Sequence, residues 1–258
     1  MNQTDGGLIE KMNLQADGII ANQCGRWEHQ VFTTENGTVS MVSTDTVGVG
    51  VNRNLAISLA SGDILLFADD DVCYYDGALQ GVVEAFEQLP DADVIFFGLD
   101  MTRNGEVYEK RRDKIKRLRL WNSLRYGAAR MAVRRSAITE KRLCFSTLFG
   151  GGCLYCSGED TIFIADSLRA GLRLYAHELA LGTCAKDRSS WFDGFNEKYF
   201  YDRGAMLACA FPRLKHLIKW HYILKFAKKK LPVKMVIKCI NAGIRGFKTR
   251  QPYMAKEA

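Results

Sequence analysis

Ile64-Leu65-Leu66-Phe67-Ala68-Asp69-Asp70-Asp71-Val72-Cys73-Tyr74 is the stretch whose reading decides how this chain folds. An apolar run bounded by polar residues reads as a buried strand. Three consecutive carboxylates then close it, although adjacent carboxylates repel and a strand core is a poor place for charge. In open α/β sheets, ligands bind beyond the carboxyl ends of strands, so a functional load at this position has a physical rationale. On an extended backbone Asp69 and Asp71 point the same way. Two hard oxygen ligands facing one point suit Mg²⁺ or Mn²⁺, with water and a substrate phosphate completing the shell. The bland alternative is an acidic turn.

Working outward, the flanking residues alternate between strand and helix patterns. DGIIANQC (17–24) and VSMVS (39–43) read as short buried strands. Residues 51–60 read as a helix, with Val51, Leu55 and Leu59 on one face and Gly62 as its cap. Asp76 to Leu89 has helical spacing and stops at Pro90; Asp93 to Leu99 is another apolar strand. Strand, helix, strand, helix, strand predicts a layered α/β domain with a mostly parallel sheet. The charged run 108–119, YEKRRDKIKRLR, reads as a solvated connector, and residues 130–139 as an edge strand entering a turn. After the Gly150-Gly151-Gly152 loop, Ser157 caps a helix from about Gly158 to Ala170, and Leu172 to Tyr175 is a short strand.

These patterns also carry a family resemblance. Arg53-Asn54…Ala56…Ala60-x-Gly62-Asp63-Ile64-Leu65-Leu66-Phe67-x-Asp69-Asp70-Asp71 resembles glycosyltransferase family 2. The resemblance implies the GT-A fold, a Rossmann-like mixed, mostly parallel sheet flanked by helices. It implies a D-x-D motif that holds a divalent metal, Mg²⁺ or Mn²⁺, on the diphosphate of a nucleotide sugar, with a UDP-sugar first among donors. Carried over, Asp69 meets the nucleoside and shares the metal, Asp71 holds the metal, and Asp70 lies between them on the donor side. Ser157-Gly158-Glu159-Asp160 is similar to the Glu-Asp pair of inverting members, which makes Asp160 the catalytic base beside Glu159. Attack by a sugar hydroxyl needs a carboxylate within hydrogen-bond reach to take its proton. Ser157-x-x-Asp160 is equally a capping-box-like helix start.

Other positions have weaker support. Arg53 follows Gly48-Val49-Gly50 and is assigned to the donor diphosphate, with solvated Arg as the alternative. Asp45 is assigned to the base. Ser190 and Trp191, within Ser189-Ser190-Trp191-Phe192-x-Gly194-Phe195-Asn196, suit the polar rim and apolar face of an acceptor sugar; loop aromatics in a core are the alternative. Lys186, Arg188 and His177 are looser matches to groups that assist a leaving phosphate or a metal.

The resemblance covers roughly residues 1–205, with a nucleotide part about 1–100 and an acceptor part about 101–205, followed by a segment 206–258. The family fold begins with an apolar first strand, whereas this chain opens MNQTDGGLIEKMNL. The expectation is that the first strand is missing and that nucleotide affinity is weakened.

Composition bounds the rest. The chain has 258 residues, 47% hydrophobic and 25% charged, with four Pro and 23 Gly, which excludes a disordered or collagen-like chain. No apolar run approaches the roughly 20 residues that span a bilayer, and Met1 to Asp17 does not read as a signal peptide. Eight Cys include one C-x-x-C pair, Cys153 and Cys156, without the second pair of a zinc site; they read as reduced thiols in a cytoplasmic protein. Residues 213–250 hold twelve Lys or Arg and no acid, leaving 24 basic residues against 29 acidic in the rest. In this segment Leu214, Leu217, Ile218 and Leu224 share a helical face, with Trp220, Tyr222 and Phe226 as interfacial aromatics; Val233, Val236, Ile237, Ile240 and Ile244 form a second run. A basic amphipathic segment fits peripheral attachment to the anionic inner face of a membrane. No recognition helix or zinc pattern supports a nucleic-acid partner.

The expectation is therefore a sugar transferase acting on a glycan or lipid-linked acceptor. Its rivals are a catalytically degenerate glycan-binding or membrane scaffold protein and a nucleotidyltransferase, the latter without a basic Gly-rich loop for the triphosphate. An aspartyl phosphatase would need D-x-D-x-T, and Cys73 stands in the place of the Thr.

Overall fold

The computed structural model describes residues 2–185, 194–227 and 231–254. They fall into two compact units, one comprising Met1–Val47, Val51–Cys144 and Ser167–Ser189, the other Gly48–Gly50, Phe145–Asp166 and Ser190–Ala258.

The first unit is α/β. A short helix α1 (Gly7–Lys11) precedes β1 (Gly18–Gln23), β2 (Glu28–Thr34) and β3 (Gly37–Thr44). The β2–β3 hairpin turns at Gly37, where φ is +150° and a Cβ would lie 2.7 Å from the Asp17 carboxylate. β1 runs parallel to β3 from Gly18 opposite Val39 to Gln23 opposite Thr44, giving a three-stranded sheet in the order β1-β3-β2. Then come α2 (Val49–Leu59), β4 (Ile64–Leu66), β5 (Val72–Tyr74), α3 (Ala78–Gln88), β6 (Val94–Arg103), β7 (Glu106–Arg111), β8 (Lys116–Leu118), α4 (Leu120–Ser123), β9 (Met131–Arg134) and α5 (Arg135–Glu140). After α6 (Glu159–Arg169), the long strand β10 (Leu174–Ala185) completes a seven-stranded sheet in the order β4-β9-β6-β10-β5, with β7 on β6 and β8 on β10.

β6 reads VIFFGLDMTR, and its first eight residues are all buried, as a strand covered on both faces requires. Ile95, Phe97 and Leu99 share one core with Ile20, Val39 and Met41 of the smaller sheet and with Val82 and Phe86 of α3. Each such side chain contributes about 1.5–3 kcal/mol on full burial. α3 presents Ala78, Val82, Ala85 and Phe86 to this core, as its spacing predicts.

Three expectations about the strands are corrected. The α/β class stands, but only β1–β3 and β6–β10 pair in parallel; the remaining ladders are antiparallel. The alternation of strand and helix suggested parallel crossovers. Instead β2 folds back on β3, and β9 inserts between β4 and β6. Residues 130–139, read as an edge, thus supply an interior strand followed by a helix. The charged run 108–119 forms most of β7 and all of β8 rather than a connector. Strands that pair along one side tolerate charge on the other, so their sequences lack an apolar signature. Among the described residues no strand precedes β1, and β1 and β4 each end their sheet.

The second unit is helical: the loop 145–158, the start of α6, and the helices α7 (Glu197–Ala210), α8 (Lys215–Ala227) and α9 (Val233–Gly246). α7 is capped by Asn196, whose side chain accepts from the Tyr199 N–H at 2.8 Å. α7 and α9 cross at glycines. A Cβ on Gly204 would meet the Ile240 carbonyl at 2.1 Å, and one on Gly243 the Tyr201 carbonyl at 1.9 Å. The crossing therefore fixes backbone against backbone. Among the described residues no helix is long and apolar enough to cross a membrane.

Candidate functional site

The acidic triplet lies where the sequence places it, in the turn after β4. Both ends of that turn are pinned. The Phe67 N–H donates to the Met131 carbonyl at 2.9 Å, and the Val72 N–H donates to the Asp69 carbonyl at 3.2 Å. β5 then pairs antiparallel with β10, Val72 opposite Cys184, and the Ala185 N–H donates to the Asp71 carbonyl at 3.2 Å. Gly182 permits this approach, since a Cβ there would sit 2.0 Å from the Cys73 carbonyl.

The three carboxylates have different surroundings. Arg53, on the second turn of α2, donates from Nη2 to Asp69 Oδ1 at 3.0 Å; its side chain is 12% exposed and that of Asp69 48%. Lys11, at the end of α1, donates from Nζ to the Asp70 carbonyl at 3.2 Å. Burial raises the Asp71 carboxyl above the ordinary carboxylate range, the Asp69 charge adds to this, and a hydrogen bond with the Cys184 side chain works against it. Asp71 is nonetheless open to solvent on one side, and a carboxyl that feels a second carboxylate is a site where a cation would relieve the repulsion. Among the described residues no three His, Cys, Asp or Glu side chains converge. The donor set available is therefore two hard carboxylates, Asp69 and Asp71. This fits Mg²⁺ or Mn²⁺, which protein carboxylates commonly hold in ones and twos with phosphate and water. Asp45 is exposed just beyond β3.

The second acidic stretch belongs to the helical unit. Gly150 adopts φ +110°, and a Cβ there would lie 2.3 Å from Val49 Cγ1; the Val49 N–H donates to the Gly151 carbonyl at 3.0 Å. Gly158 adopts φ +127°, with Met206 packed where a Cβ would be. The glycine-rich loop thus has two positions that only glycine fits. Glu159 folds back so that Oε2 accepts from the Gly158 N–H at 3.0 Å. Asp160 follows, half-buried in the first turn of α6.

The expected Ser157 cap is not made. Its Oγ is buried and has no hydrogen-bond partner among the described residues. The Ser157 side-chain half of a capping box is therefore not made at this helix start.

Asp202, which sequence reasoning missed, is fully buried on α7. Its Oδ2 accepts from the Cys156 N–H at 2.9 Å and from Lys198 Nζ, one helical turn earlier. This ties α7 to the turn that leads into Glu159 and Asp160. Burial, then the Asp202 hydrogen bond and charge, push the Cys156 thiol up to about 11. All eight Cys are free.

Of the weaker assignments, His177 is corrected. Its Nδ1 accepts from the Leu179 N–H at 3.2 Å, so Nε2 carries the proton and donates to Gln88 Oε1 at 2.9 Å. Both ring nitrogens serve the fold, and burial lowers its basicity. Lys186, Arg188, Ser190 and Trp191 lie outside the described residues.

Known proteins agree with this architecture. A curated "Uncharacterized glycosyltransferase" of Haemophilus influenzae is 27% identical over 108 residues, covering 39% of this chain and 37% of that protein. Among solved structures, S. aureus TarS 1-349 in complex with UDP-GlcNAc superposes with a TM-score of 0.51 at 18% identity, over 67% of this chain and 50% of that one. Another crystal structure of TarS 1-349 gives 0.53 at 13% identity, over 85% and 77%. The likeness to these structures is one of fold, the GT-A type of mixed sheet flanked by helices. The chain spans little more than a third of the curated relative and half of the first of these structures. The sequence model of Glycosyl transferase family 2 matches residues 30–146, from within β2 to just past α5, a span that holds the acidic triplet and Arg53. Over that span, a little under half of the chain, the sequence resembles glycosyl transferase family 2.

Proposed function

We propose that this chain transfers a sugar from a nucleoside diphosphate donor to a hydroxyl of a glycan or lipid-linked acceptor, with inversion at the anomeric carbon. The observation that supports it most is the placing of Asp69 and Asp71 in one pinned turn at the carboxyl end of a sheet strand, where the Asp69 charge helps hold the Asp71 carboxyl above the ordinary carboxylate range. Asp69 and Asp71 would hold a Mg²⁺ or Mn²⁺ ion, which supplies positive charge for the departing diphosphate. Arg53 steadies Asp69 and, with Lys11, offers positive charge on the donor side; Asp70 and Asp45 face the nucleotide. Asp160 accepts the proton of the attacking hydroxyl while the bond from the anomeric carbon to the phosphate oxygen breaks and the glycosidic bond forms. Glu159 holds the turn before Asp160, and Ser190 and Trp191 belong to the acceptor side. In this reading residues 1–205 carry catalysis. The basic segment keeps the enzyme peripheral on the inner face of a membrane, next to lipid-linked acceptors.

TarS was solved with UDP-GlcNAc, so UDP-sugars are the first donors to test here. The experiment is release of nucleoside diphosphate from a panel of nucleotide sugars, with and without Mn²⁺. Metal-dependent release supports the reading. Donor binding without any turnover would overturn it in favour of a glycan-binding or scaffold protein.

A further inference from the structure

Both helices of the basic segment were read as amphipathic, yet they bury their apolar residues differently. α9 packs Val236, Cys239, Ile240 and Ile244 inside the helical unit. α8 has two apolar faces. Ile218, Tyr222, Ile223 and Phe226 are buried, with Phe226 set edge-on against Phe200 at 5.0 Å. Leu214, Leu217, Trp220 and Leu224 are 39%, 58%, 52% and 63% exposed. Their spacing puts them in one stripe. Tyr222 and Phe226, grouped by sequence with the interfacial residues, therefore belong to the core.

The surroundings of the stripe are basic. Lys219 reaches over the Trp220 ring at 5.3 Å and donates to Asn241 Oδ1 at 3.1 Å. His216 and His221 are exposed on the same helix. Residues 213–250 contain no carboxylate. A second copy of the chain would bring this surplus of positive charge against itself, at a repulsive cost. A nucleic acid would satisfy the charge and leave the leucines in water. An anionic bilayer satisfies both, since its headgroups meet the Lys side chains and its acyl boundary meets the stripe. Residues 214 to 224 rise only about 15 Å as a helix, enough to lie along a headgroup layer and too short to cross it.

We propose that the outer face of α8 is the membrane-docking surface, with Leu214, Leu217, Trp220 and Leu224 inserted among the headgroups of anionic lipid while α9 stays in the protein core. This deepens the attachment in the preceding reading and does not depend on sugar transfer.

The test is flotation of the full chain with phosphatidylcholine vesicles, alone or mixed with phosphatidylglycerol. The expected result is binding to the mixed vesicles only. The Leu217→Gln/Leu224→Gln pair should weaken it about tenfold or more, and Trp27→Gln, at a still more exposed Trp of the α/β unit, should leave it unchanged. A blue-shifted emission with mixed vesicles should vanish in Trp220→Phe. Equal flotation of the paired Leu variant, equal binding to uncharged vesicles, or no flotation of the unmodified chain would each overturn the proposal. So would a concentration-dependent dimer that the paired Leu variant abolishes. Donor turnover by the paired Leu variant in detergent, away from vesicles, separates a lost anchor from a failed transferase reading.

Discussion

Two acidic stretches, Asp69–Asp71 and Glu159–Asp160, are built on opposite plans. The first crowds carboxylates in a turn pinned by two strands and sets Arg53 and Lys11 against it. The second separates its pair: Glu159 is spent on the Gly158 N–H, and Asp160 stands in a first helical turn whose serine makes no cap. In the first stretch the charge of one carboxylate raises another, whereas in the second Glu159 turns back to the backbone before its neighbour. The contrast shows why residue type alone does not assign a role. Five acids in two short runs meet different backbone groups and cations.

Replacing Asp160 should have the largest effect on that contrast. Asp160→Asn is expected to lower turnover by about 10²–10⁴-fold with donor affinity unchanged, measured by steady-state rates alongside calorimetric titration. An equal loss in donor affinity would put Asp160 on the donor side and dissolve the division of labour. Next comes the crowded site. Asp71→Asn should cut turnover about 10²-fold, and a chelator should slow the unmodified protein comparably while adding little to the variant. Independent losses from the two would place the metal elsewhere.

Smaller effects test the supports. Asp202→Asn weakens the link between α7 and the Cys156 N–H and leaves Lys198 without its carboxylate. It should cost about 1–3 kcal/mol in urea unfolding, with turnover falling far less than in Asp160→Asn. The smallest change is expected from Glu159→Gln, which keeps an oxygen for the Gly158 N–H. Its unfolding midpoint and turnover should stay within about 0.5 kcal/mol of the unmodified chain. A large activity loss there would make Glu159 a partner in catalysis and narrow the contrast between the two stretches.

The acidic turn was legible because a buried strand announces itself as an unbroken apolar run, and ILLF ends abruptly in charge. α3 was legible for the same reason, its apolar residues recurring at helical spacing. β7 and β8 were not, because strands at a sheet edge carry many charged residues and so show no unbroken apolar run. β10 was read as a few residues because Glu178 interrupts its apolar pattern, yet it runs for twelve. The partners of the site were hidden by distance along the chain. Lys11 meets a carbonyl 59 residues away, and Asp202 meets an N–H 46 residues away. Nothing local marks either residue. Arg53 was visible as a charge near a glycine pair, but its engagement with Asp69 depends on how α2 lies against the β4 turn.

The Cys184 side chain, hydrogen-bonded to the Asp71 carboxyl on the strand that anchors that residue's carbonyl, has a practical consequence. An alkylating reagent that reached this sulfur would wedge its adduct against the acid loop. Inactivation by such a reagent would then come from crowding at the acid loop, without the thiol itself acting as a nucleophile. Protection by donor and metal, followed by mapping of the labelled position, would trace that sensitivity to crowding at one strand end.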